Sequence, residues 1–149
     1  MLSKNAGTLL TGDVLLSIHR RHAENIFAGL KAFEIRKTVP KAVTFPFSVY
    51  MYETKGSGLG LVVGKFECER IQYINCFDPA VRCTEAIKQQ KEILKVSCLD
   101  FMIISIYAGN KRVYGWHITE VVRYDRPREL SDFGITRPPQ SWCYLPPKE

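Results

Sequence analysis

Five to six stretches of strand-like sequence, with helical segments inserted between them, constrain the fold of this chain more than any other feature. Residues 31–37 alternate apolar and polar side chains, the period of a half-buried strand. Residues 14–19, 47–54, 61–74 and 113–124 are rich in Val, Ile, Tyr and Phe and are bounded by turn residues, so they read as strands too. Within 14–19, Leu16 and Ile18 share one face, and Leu15, Ser17 and His19 share the other. The stretch 61–74 invites a kink at Gly64, and 141–145 adds a short strand inside a proline-rich tail. Residues 20–28 place Ala23, Ile26 and Phe27 at helical spacing, and Gly29 suits the left-handed position that ends such a helix. Asp78 and Pro79 suit the start of a helical section that continues through 86–96 and 97–107. The pattern predicts a small, mostly antiparallel β-barrel of the α+β class, with flanking and inserted helices.

At 149 residues the chain fits one domain, 14–149, behind a weakly structured leader, 1–13. Its 46% apolar and 24% charged residues exclude a disordered chain, a collagen-like repeat and a coiled coil. No apolar run approaches the roughly 20 residues of a membrane span. Gly7, Gly12 and Asp13 break the N-terminal apolar stretch that a secretory signal needs. Five cysteines without a paired rhythm or a Cys-x-x-Cys motif indicate reduced thiols, a cytoplasmic location and no metal centre. Lys+Arg 21 against Asp+Glu 15 leaves +6, a charge that favours an acidic partner, RNA or DNA first.

The densest chemistry lies in Gly29-Leu30-Lys31-Ala32-Phe33-Glu34-Ile35-Arg36. A helix stops at Gly29, and a strand at once presents Lys31, Glu34 and Arg36. The strand period puts Glu34 and Arg36 on one face, about 7 Å apart. Lys31 has the opposite parity but stands at the strand entrance, where parity is loose. Such a group suits a groove for an anion or a nucleobase. Arg36 would offer a planar fork to phosphate, Lys31 a point charge, and Glu34 an acceptor for base or ribose donors. A Glu34–Arg36 ion pair covering one rim of the barrel accounts equally well for the spacing.

Gly29-x-Lys31-x-x-Glu34-x-Arg36 resembles, position by position, the G-x-K-x-x-E-x-R signature of the ASCH domain family. The text around it is similar as well: 15–19 to the family's first strand, and Gly115-Trp116-His117-Ile118 with 124–130 to its closing strand and exit. The ending, 139–144, resembles the tail of short bacterial and phage-type members. The resemblance implies a PUA-like β-barrel and a groove lined by the signature residues that binds RNA or a nucleotide-like ligand without a cofactor. One branch of small bacterial members hydrolyses acetylated cytidine, using the signature Lys, a Thr at the position of Glu34 and a distant carboxylate. Here Glu34 replaces that hydroxyl. An RNA-binding module is therefore the leading expectation. The alternative is a metal-independent hydrolase, an amidohydrolase or ribonuclease, with Lys31 and Glu34 as catalytic candidates and Glu85 or Glu92 as the carboxylate. A protein-interaction adaptor is a third reading.

Further ligand contacts are expected from Ser17 and His19 on their shared strand face, from His117, and from Trp142 in the tail. His22 is expected on the solvated side of its helix and Trp116 in the core. Arg20, Arg21, Lys37, Lys41, Lys111, Arg112, Arg123, Arg126 and Arg128 supply positive charge that would track a phosphate backbone if gathered on one face. The glycines at 56, 58 and 60 do not make a phosphate loop, because Phe66 stands where such a loop requires Ser or Thr. They predict a hairpin turn.

Overall fold

The computed structural model describes residues 12–75, 83–109 and 112–147. The expected leader as far as residue 11, the helix start at Asp78 and Pro79, and Lys111 lie outside the described residues. The elements run β1 (Val14–Ile18), α1 (Arg20–Phe27), β2 (Phe33–Arg36), β3 (Phe47–Glu53), β4 (Leu61–Ile74), α2 (Thr84–Ser97), α3 (Phe101–Ala108), β5 (Val113–Arg128) and β6 (Trp142–Tyr144). A turn of 3-10 helix at Leu130–Phe133 follows β5. The six strands form one sheet in the order β2-β5-β4-β3-β1-β6, curled into a half-barrel. β1 runs parallel to β3, and the other neighbours are antiparallel.

Strand periodicity sorts the side chains as the sequence requires. Val14, Leu16 and Ile18 of β1 join Val49 and Met51 of β3, Phe66 of β4 and Trp116 of β5 in the interior of the half-barrel, where Ala23 and Ile26 of α1 close the end. Leu15 faces the other way, opposite Tyr50, and belongs to an outer cluster with Tyr52, Val62, Tyr124, Phe133 and Ile135. A third cluster seats α2 and α3 on β2 and β5 through Ile35, Ile74, Ile93, Ile104 and Val113. The expected kink at Gly64 is a bulge, since the β4–β5 register shifts between Val62 and Gly64. β5 runs four residues beyond the expected 124, to Arg128, because β4 offers it a partner as far as Val62. Among the described residues no helix is long and apolar enough to cross a membrane.

Candidate functional site

The site begins where α1 ends. Gly29 takes the left-handed conformation, φ 75°, and the chain then folds back so that the N–H groups of Leu30 and Lys31 both donate to the Asn25 carbonyl, at 3.0 and 3.1 Å. Ala32 N–H donates to Val96 O at 2.7 Å, which ties the entrance of β2 to the end of α2. This tether turns Lys31 inward, where it is 3% exposed, and its Nζ donates to the Ser97 carbonyl. The same Nζ lies 3.5 Å from Glu34 Oε1. Glu34, 5% exposed, accepts on its other oxygen from Arg36 Nε at 2.9 Å and stands 2.8 Å from Arg36 Nη2.

Arg36 reaches further. Its Nη1 donates to Ser141 Oγ at 3.1 Å, beside β6, and its Nη2 to the Ser17 carbonyl on β1 at 2.8 Å. β2 and β6 are the two edges of the sheet. The Arg36 guanidinium thus bridges the seam that the backbone leaves open. The fork expected to meet phosphate is engaged in this structure by Glu34, Ser141 and Ser17. The ion pair expected as the alternative is present, but it is buried in the seam instead of covering a rim.

Burial alone would push the Glu34 carboxyl up; the Arg36 and Lys31 charges and the Arg36 hydrogen bond outweigh it and hold the group below the usual carboxylate range. Two cations on one carboxylate leave one net positive charge at the floor of a cleft of about 320 Å³. His19, His22, Thr54 and Gln140 stand on its polar side, and Leu99, Ile103, Ile104 and Tyr107 from the α2–α3 region form an apolar wall. Burial, then the Lys31 charge, hold His22 below its ordinary value, so its ring is neutral at neutral pH. Its buried Nδ1 has no hydrogen-bond partner among the described residues. Lys37 Nζ lies 4.7 Å from the Tyr107 ring centroid. The glycine turn props the mouth: Ser57 Oγ accepts from Arg20 N–H at 3.1 Å and lies 2.7 Å from Thr54 Oγ1.

Of the residues expected at the site, Lys31, Glu34, Arg36, Ser17 and His19 all line this cleft. Ser17 is not free there, since its Oγ donates to Pro139 O at 2.6 Å. His117 and Trp142 stand elsewhere. The His117 ring packs on Phe33 with centroids 3.9 Å apart, and its Nε2 lies 3.2 Å from Gln72 Oε1. Trp142 Nε1 donates to Thr38 Oγ1 at 2.8 Å, while its ring meets Trp116 edge-on. Glu85 and Glu92 are exposed on α2 and line a separate hollow with Asn75 and Lys88, so neither touches Lys31. His22, expected in solvent, instead turns into the cleft. Its spacing of three from His19, which places both on one side of the helix start, was the signal.

No family model matches the chain. Among solved structures it is similar to ASCH from Zymomonas mobilis, at 18% identity and a TM-score of 0.72 over 91% of this chain and 88% of that one. Two point variants of that protein, one Tyr-to-Phe and one Ser-to-Ala, superpose at the same TM-score with 17% and 16% identity, covering 91% and 89% of those chains. The chain has the ASCH fold. A stretch of 135 residues is also 25% identical to ATP synthase subunit alpha of Ureaplasma parvum serovar 3; it is 89% of this chain but spans only 15% of that protein's length. Within the ASCH fold the cleft occupies the open seam of the half-barrel, walled on one side by the inserted helices.

Proposed function

We propose that the seam cleft binds an unstacked nucleobase with its phosphate, and that the protein is a single-stranded RNA-binding module. The observation that carries the reading is the buried Lys31–Glu34–Arg36 cluster with its one uncompensated positive charge. An ammonium has three N–H donors, and Lys31 directs one to Ser97 and one toward Glu34, which leaves the third for a ligand oxygen. His22 adds a neutral ring nitrogen for a base edge, and Ile103 with Tyr107 an apolar wall for a base face. A volume of about 320 Å³ lies at the small end of ligand pockets, in keeping with one base and its sugar. Hydrolysis is less well served. Glu34, held ionised by two cations, is a poor proton acceptor, and Glu85 and Glu92 stand apart.

Fluorescence anisotropy with a short single-stranded RNA at two salt concentrations tests the proposal. His22→Ala removes the ring nitrogen, and Ile103→Glu places a negative charge at the mouth, on a side chain that is 44% exposed and tolerates it. Both variants are expected to lose about tenfold or more in affinity, roughly 1.4 kcal/mol, while remaining folded. Binding unchanged in both would refute the cleft as the RNA site.

A further inference from the structure

A second hollow, of about 860 Å³, opens over the outer cluster of the sheet and plays no part in the site described above. Tyr50, Tyr124 and Phe133 line it, with Lys65 and Arg128 among them. The cations lie over the rings: Arg128 is 5.1 Å from the Phe133 centroid and 6.0 Å from that of Tyr124, and Lys65 is 5.9 Å from that of Tyr50. Interleaved rings and cations of this kind are the surface that single-stranded nucleic acids use, with bases on the rings and phosphates on the charges. The hollow also holds two carboxylates. Asp13 accepts from Ser48 N–H at 3.1 Å and Asp132 from Glu129 N–H at 3.3 Å, so both are committed to backbone. Lys65 pairs with Glu67 at 3.3 Å and Arg128 with Asp132 at 3.8 Å, contacts open to water and therefore weak.

The hollow is joined to the cleft by the chain itself. Leu15 and Ser17 share a face of β1, opposite Tyr50 and Tyr52 of β3, so Ser17 at the cleft and Tyr50 at the hollow stand on one surface. The tail segment that passes between them starts in the hollow at Gly134 and ends in the cleft at Gln140. The six steps from Gly134 to Gln140 span at most about 22 Å. Arg137 lies midway and is exposed. We infer that the hollow is a second stacking site, which with Arg137 and the cleft forms one track for a single strand of RNA about three to six nucleotides long. This rests on the cleft reading and extends it: the ligand is a strand, not a free nucleotide.

Uridine monophosphate and hexauridylate separate the two. Each is titrated against the whole protein, wild type and Lys65→Gln/Arg128→Gln/Arg137→Gln, with folding checked by circular dichroism. The wild type is expected to bind the hexamer at least about tenfold more tightly than the monomer, with a steeper salt dependence. The triple variant is expected to lose that gain and keep its affinity for the monomer. Should the triple variant misfold, Lys65→Gln/Arg137→Gln, which leaves the Arg128 ring contacts in place, carries the same expectation at smaller size. A wild type that holds monomer and hexamer equally overturns the track and leaves the cleft reading standing. A wild type that binds neither overturns both. Hexamer binding that the variants retain, or that polyglutamate displaces as well as RNA does, also overturns the track, the latter by making it a general anion surface.

Discussion

Replacing Arg36 with alanine removes the side chain that closes the seam, and the structure fixes the size of the loss. Four contacts go at once: two to the Glu34 carboxylate at 2.9 and 2.8 Å, one to the Ser17 carbonyl at 2.8 Å and one to Ser141 Oγ at 3.1 Å. Glu34 is left buried with Lys31 alone, 3.5 Å away. Removing one partner of a buried pair costs about 3–5 kcal/mol when the charge left behind is uncompensated. Here the loss comes from the Arg36 hydrogen bonds and the weaker screening of the acid by one cation instead of two. Lys31 still offsets Glu34, so the loss lies toward the lower end of that range. That is a large fraction of the about 5–15 kcal/mol that holds a typical domain together. In a chain of this size it lowers Tm by about 6–20 °C. Urea and thermal denaturation of Arg36→Ala measure it, with Arg36→Lys intermediate because an ammonium keeps the charge but lacks the planar fork. Removing the acid as well, in Glu34→Gln/Arg36→Met, recovers part of the loss shown by Arg36→Met alone. The Arg36→Ala deficit also narrows as pH falls toward the carboxylate range, since Glu34, held by one cation instead of two, takes up its proton at a higher pH in the variant than in the wild type. A deficit under about 1 kcal/mol, or no recovery in the double variant, would refute the argument that Arg36 neutralises a dry carboxylate.

His22 carries a pH dependence of definite sign. Its folded value lies below the ordinary 6.5, so its contribution to stability is complete above about pH 6.5 and declines as pH falls through the folded value. Denaturation midpoints between about pH 7 and pH 5 record the decline, which is expected to be smaller in His22→Gln. Gly58→Ala drives a Cβ into the buried Glu53 carboxylate, which accepts from Leu59 N–H at 2.8 Å, and is expected to destabilise by about 1–3 kcal/mol in urea denaturation. Burial pushes the Cys68 thiol up to about 12, whereas Cys83 is exposed. A thiol reagent followed by mass spectrometry is expected to label Cys83 in the folded protein and Cys68 only after unfolding.

Local chemistry made the elements legible in the sequence. Alternation with a period of two put Glu34 and Arg36 on one face of β2 and Trp116 in the core, and β4 spans the expected Leu61–Ile74 because its flanking glycines and Asn75 mark the ends. The absence of a Cβ at Gly29 ended α1 where expected. Periodicity says which way a side chain points within its own element, and nothing about what another element brings to meet it. Lys31 joined Glu34 only because Asn25 and Val96 hold the entrance of β2. Arg36 lost its free fork only because Ser17 and Ser141, 19 and 105 residues away in the chain, fold against it. His117 and Trp142 met Gln72 and Thr38 for the same reason, and Glu85 and Glu92 were carried to another surface on α2. The sequence by itself determined the strands, the faces and the charged cluster on β2. The tertiary structure alone decided that this cluster is a buried clasp across an open seam, because only closure of the half-barrel brings the two sheet edges within reach of one guanidinium.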